Sequence, residues 1–120
     1  MATLTTKLTL TSTNALSDAT NVSVTDTLTT ANPTELSRKS IATGSAQSVI
    51  ASNSSFSYVY LKNISSSNAA AWLQVKLGGD AKIRLDVGEF AIFPLYSSQA
   101  ITMEAQTAAC VVEYGYWTKG

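Results

Sequence analysis

The chain contains no histidine and a single cysteine, Cys110, among its 120 residues. Those two absences remove whole classes of chemistry. No disulfide can form within the chain, no Cys/His zinc site can be assembled, and every histidine-based catalytic triad is excluded. Cys110 has no histidine base to activate it, and it falls in series with Val112 and Tyr114, so it reads as a small buried hydrophobe. Charge is also scarce. Charged residues make up 13% of the chain, and eight Lys/Arg balance eight Asp/Glu to a formal net charge of zero. No basic run exceeds Arg38-Lys39. A nucleic-acid binder needs a basic stripe to displace counterions from phosphate, so no nucleic-acid partner is expected. No apolar run reaches the ~18 residues of a membrane helix, and MATLTTKLTL has neither a basic nor an apolar leader region, so the chain reads as soluble, with no membrane partner and synthesis in a reducing cytoplasm.

What is abundant is hydroxyl. Sixteen Ser and sixteen Thr occupy 32 positions, and 24 of them lie in residues 1–57, whereas nine of the ten aromatics lie in residues 58–120. The second half is therefore expected to carry most of the core, with thin Thr-rich strands laid on it or on a neighbour. A surface that is polar without being charged favours association.

Period-two alternation dominates, which points to half-buried strands. Leu4, Thr6, Leu8 and Leu10 share one face, and Val22, Val24 and Leu28 repeat the pattern with Asp26 interrupting it. Ile41 and Val49-Ile50 mark two weaker strands. Phe56–Leu61 is apolar on both faces, as suits a central strand covered on each side. Leu73, Val75 and Leu77 alternate with Trp72, Gln74 and Lys76. Further alternation covers Lys82–Asp86, Ile101–Gln106 and Cys110–Trp117, and Pro94 marks an edge or an end of the run Glu89–Leu95. Turns are predicted at Asn32-Pro33, Ser65–Asn68, Gly78-Gly79, Asp86–Gly88 and Ser97-Ser98. The only stretch that could open a helix, Asn68–Leu73, fits a strand entry as well. The expected fold is all-β: one domain over residues 1–120, an antiparallel, jelly-roll-like β-sandwich of about eight to ten short strands.

The carboxylates Asp80, Asp86, Glu89, Glu104 and Glu113 sit in turns or alternate with apolar residues, the ordinary place for solvated charge, so no catalytic pair is expected. Asp18 and Asp26 are too sparse for a calcium loop, and Gly78-Gly79 lacks any phosphate-loop context. No enzyme activity, metal or cofactor is predicted. Two features remain that an isolated monomer has no use for. Trp72 and Trp117 fall on faces otherwise polar or opposite the core tyrosines, which suits a protein interface or a glycan platform. Residues 1–35 alternate but contain no aromatic, so Leu4, Leu8 and Leu10 are candidates for an intersubunit arm, one that would also hold Met1 in place.

Three stretches, Phe56–Asn68 (FSYVYLKNISSSN), Lys82–Leu95 (KIRLDVGEFAIFPL) and Gln106–Trp117 (QTAACVVEYGYW), together resemble small β-sandwich virion proteins of tailed bacteriophages, most of all capsid decoration (cement) proteins. The resemblance covers about half the chain and lies in strand-and-turn patterning, with no catalytic signature. It implies a homotrimer on the capsid surface that binds the major capsid protein and clamps neighbouring capsomers. A tail, neck or fibre component with a glycan-binding face is the alternative that the same features allow.

Overall fold

A computed structural model of the chain describes residues 2–13, 20–52, 57–66, 68, 70–96 and 99–120, with the backbone alone for Thr20 and Pro33. Met1, Asp18, Phe56, Ser67 and the Ser97-Ser98 turn lie outside the described residues.

Among the described residues, alternation becomes nine strands: β1 (Ala2–Ser12), β2 (Thr20–Ile41), β3 (Gln47–Ile50), β4 (Ser57–Asn63), β5 (Trp72–Leu77), β6 (Asp80–Asp86), β7 (Phe90–Leu95), β8 (Ile101–Gln106) and β9 (Cys110–Lys119). They form one sheet of order β1-β2-β9-β4-β7 and a second of order β3-β8-β5-β6. Antiparallel pairs nest inside one another: β2 with β9, β3 with β8, β4 with β7 and β5 with β6. This is a long hairpin wrapped on itself, a jelly roll with one extra strand, β1, at its edge. The innermost turn is Gly78-Gly79, between the paired residues Leu77 and Asp80, with φ of +61° and +94°. Two consecutive positive φ values give the twist that a two-residue hairpin requires, and glycine adopts them without a Cβ clash.

Between the sheets lie residues of the alternating runs, joined by Ile41 and by Val59 and Leu61 of the two-sided run. Ile41, Val59, Leu61, Leu73, Val75, Ile101, Met103 and Val112 are fully buried, with Cys110 and Tyr114 beside them. Each large aliphatic side chain contributes roughly 1.5–3 kcal/mol on removal from water. β4 is central, between β9 and β7, but it is not covered on both faces as expected. Tyr58 and Tyr60 on its outer side are half-buried, because only the β1–β2 ribbon faces them, across an open groove. Pro94 sits on the edge strand β7, where a missing N–H costs no ladder bond.

Asn32-Pro33 is not a turn. β2 runs through it for 22 residues, and the pairing steps from Ala31↔Thr118 to Thr34↔Trp117, leaving two residues bulged out of the ladder. Proline's absent donor is harmless at that point, and a bulge bends the strand and tightens its twist. The bulge lies just past the point where β2 passes from one neighbour to the other. Thr20–Thr30 pair with β1, and Thr30–Ile41 pair with β9. The β1–β2 ribbon is thus about 36 Å long at ~3.3 Å per residue, within a molecule of 41 × 40 × 23 Å. The radius of gyration, 15.6 Å, exceeds the ~13.6 Å expected of a compact chain of this length.

Asp86–Glu89 forms the turn that the sequence predicts: Glu89 N–H donates to the Asp86 carbonyl at 2.9 Å, and Gly88 has φ +87°. A Cβ at Gly88 would meet nothing within 4 Å, so strain alone opposes a side chain there. Gly88→Val is expected to cost about 1–3 kcal/mol in chemical denaturation. An unchanged midpoint would show that the turn tolerates a β-branched residue.

Candidate functional site: an apolar groove beneath the β1–β2 arm

Register decides what the arm presents. Leu4 lies opposite Leu28, Leu8 opposite Val24 and Leu10 opposite Val22, so all six apolar side chains share one face. The pair Thr6↔Asp26 breaks the row, with the Thr6 hydroxyl donating to the Asp26 carbonyl at 3.4 Å. On the reverse face, Thr3, Thr5, Lys7, Thr9 and Thr11 face Thr29, Thr27, Thr25, Ser23 and Asn21. The apolar face stays largely in water: Leu10 is 48% and Val24 52% exposed, with Leu8 and Val22 also exposed and Leu4 and Leu28 half-buried.

That face continues onto the outer surface of the five-stranded sheet. The rows across β2, β9, β4 and β7 are Thr34, Trp117, Tyr58, Pro94 and then Leu36, Gly115, Tyr60, Ile92. Arm and sheet enclose a groove of about 730 Å³. Leu4, Leu8, Val24 and Leu28 line one side, and Leu36, Tyr58, Tyr60, Phe90, Ile92 and Trp117 line the other. Even beneath the arm, Leu36 is 65%, Phe90 58% and Ile92 45% exposed. Trp117 fills the dent left by Gly115, where an added Cβ would lie 2.8 Å from the ring and 3.0 Å from the Glu35 carbonyl. A monomer that leaves this much contiguous apolar surface in water marks an interaction site.

One polar cluster anchors the groove wall. Glu113 accepts hydrogen bonds from the Tyr60 hydroxyl at 2.8 Å and from the Arg38 guanidinium at 3.1 Å. Burial, then the hydrogen bond to Glu113 and its negative charge, push the Tyr60 phenol up to about 12, with Arg38 opposing. The same two hydrogen bonds, Tyr60's first and then Arg38's, hold the Glu113 carboxyl below its ordinary value. Because folding raises the Tyr60 pKa, its contribution to stability is complete below pH ~10 and is lost as pH rises through about 12. Glu113 works the other way: its contribution is present above the ordinary carboxylate range and is lost as acid protonates it. In an ultraviolet phenolate titration, the highest-pH step is expected to vanish in Tyr60→Phe and to move down part-way in Glu113→Gln. Retention of that step in Tyr60→Phe would place the raised tyrosine elsewhere.

The candidate residues separate. Leu4, Leu8 and Trp117 meet in the groove, while Leu10 shares the arm face but lies beyond it. Trp72 is on the other sheet, half-buried, with the Arg84 guanidinium 4.2 Å above its ring and only a shallow depression of about 240 Å³ beside it. The carboxylates are dispersed. Asp86 pairs with Arg84, Glu104 with Lys76, and Glu89 accepts from the Asp86 N–H. Among the described residues no three His, Cys, Asp or Glu side chains group as metal ligands, and no helix is long and apolar enough to cross a membrane. Leu36, Tyr58, Tyr60, Phe90 and Ile92 line the groove without being sequence candidates. For all of these but Leu36, which lies in neither run, the signal is the two-sided apolarity of Phe56–Leu61 and Glu89–Leu95, which reads equally as a doubly buried strand. No family model and no curated protein matches this chain.

Proposed function

We propose that this chain is a non-enzymatic structural protein of a tailed-bacteriophage virion, a capsid decoration protein. It assembles as a homotrimer on the capsid surface and binds the major capsid protein, bridging capsomers. The observation that carries this reading is the arm, an ~36 Å ribbon whose Leu4, Leu8, Leu10, Val22, Val24 and Leu28 share one face, of which the subunit half-buries Leu4 and Leu28 and leaves the other four exposed. Burial of such a face on a neighbour is what a clamp requires. The resemblance of residues 56–117 to decoration proteins and the hydroxyl-rich, low-charge surface point the same way. Jelly rolls recur in viral capsid proteins and in lectins, which supports the reading by analogy alone.

The test is to add purified chain to phage heads stripped of their accessory proteins. Saturable binding that raises the temperature at which heads release DNA supports the reading, and failure to bind any head contradicts it. The second reading, a tail, neck or fibre component with a glycan-binding face, draws on Tyr58, Tyr60 and Trp117 lining one groove. Quenching of Trp117 fluorescence by oligosaccharides, with no affinity for heads, favours it.

A further inference from the structure

We propose that the β2 edge of the arm pairs with β2 of a second copy of this chain, antiparallel about a two-fold axis through Thr25. β1 occupies one edge of β2 from Thr20 to Thr30, and β9 occupies the other edge from Thr30 to Ile41. The last bond on that second edge is Gly120 N–H to the Thr29 carbonyl at 3.0 Å. Beyond it, over Asn21–Leu28, that edge has no strand partner among the described residues. The open lane prolongs the track of β9, so a strand entering it antiparallel continues the sheet. A two-stranded ribbon is marginal in water, and a third strand is the minimum for independent stability.

Charge and pattern select the occupant. Two-fold pairing about Thr25 sets Val24 opposite Asp26 and Val22 opposite Leu28 of the other copy. Even residues meet even residues, so the apolar faces of the two arms lie on the same side of the joint, interrupted by the two Asp26 side chains. The two Asp26 side chains are staggered, and Thr27 meets Ser23 on the hydroxyl face, where side chains can exchange hydrogen bonds. The same operation on the β1 edge, fully overlapped, places Lys7 directly opposite Lys7, an unfavourable like-charge pair. The product is a four-stranded sheet, β1-β2-β2-β1, with the six apolar residues of each arm on one side. The contact involves the arm alone, so it is independent of the virion reading. A separate three-fold contact between bodies would simply join trimers arm to arm into hexamers.

The test uses the full chain with Thr25→Cys or Lys7→Cys, both exposed positions. The parent chain, whose lone Cys110 is buried, sets the background. Residues directly opposite in an antiparallel pair lie within disulfide reach. Under mild oxidation the Thr25→Cys chain is expected to shift to a band of twice the mass, while Lys7→Cys stays at the parent position. Sedimentation equilibrium of the unmodified parent chain should give even-numbered species, dimers or hexamers. Cross-linking of Lys7→Cys in preference to Thr25→Cys would overturn the proposal, as would a parent chain that sediments as a monomer. A parent trimer without Thr25→Cys cross-linking would overturn it too, while leaving the decoration reading intact.

Discussion

Removal of residues 1–12 is expected to leave a folded sandwich that no longer assembles. The described residues of the deleted segment add nothing to the core: among the described residues every fully buried apolar one lies at Ile41 or later. β1 pairs with β2 alone, along the arm, and its side chains are exposed or half-buried. Its loss therefore costs the body little, about 2 kcal/mol at most, or a fall of ~10 °C or less in melting temperature. The β2–β9 ladder from Thr30 to Ile41 is untouched. The proposed assembly would rest instead on the face that Leu4, Leu8 and Leu10 share with Val22, Val24 and Leu28, and half of that face goes with β1. Circular dichroism should retain its β signature while light scattering reports loss of the oligomer and of head binding. Unfolding of the truncated chain would show that the arm belongs to the core. Undiminished head binding would show that it is an ordinary edge.

The largest loss of stability from a single change is expected at Asn63. This residue is fully buried at the end of β4 and ties the two sheets together. Its Nδ2 donates to the Leu85 carbonyl of β6 at 3.0 Å, while Oδ1 accepts from the Ser65 N–H at 3.1 Å and the Ser65 hydroxyl at 2.6 Å. Ser65 Oγ in turn accepts from Val111 N–H at 2.8 Å. The Asn63 backbone also receives Gly88 N–H at 2.8 Å and donates to Glu89 at 3.0 Å. Asn63→Ala keeps the backbone bonds and strips the rest, leaving buried groups at Leu85 and Ser65 without partners at ~1–3 kcal/mol each. The expected cost is about 3–5 kcal/mol, a large share of the 5–15 kcal/mol of a typical domain. Asn68→Ala, which removes one exposed turn bond to Ala70 N–H, should cost under ~1 kcal/mol. Similar denaturation midpoints for the two variants would remove Asn63 from this role.

Period two made most of the fold legible. It places Leu73, Val75, Ile101, Met103 and Val112 inward, and glycine chemistry marks the Gly78-Gly79 and Gly88 turns where positive φ occurs. What it could not show is which strand lies beside which. Trp72 and Trp117 carry the same signal, a large aromatic on an outward face, yet one lies under Arg84 on a polar sheet and the other in an apolar groove. Only the order of strands separates them. Asn32-Pro33 carries ordinary turn chemistry and becomes a bulge because β2 changes partners beside it. Asn63 reads as a polar strand end before a Ser-rich turn, since its donor and acceptor partners are up to 22 residues away in sequence. Thr107, at φ +75°, has no sequence signal at all, because a β-branched residue is among the last expected in that conformation.

The claim on which the rest depends is that the arm's apolar face is open in the single subunit and closed in the assembly. Amide hydrogen exchange over residues 2–12 and 20–30, in the isolated monomeric chain and again in the assembled state, tests it most directly. The account predicts fast exchange of these segments in the monomer, strong protection on assembly, and β4, β8 and β9 protected in both. Arm amides as slow as those of β4 in the monomer, or unchanged on assembly, would contradict it.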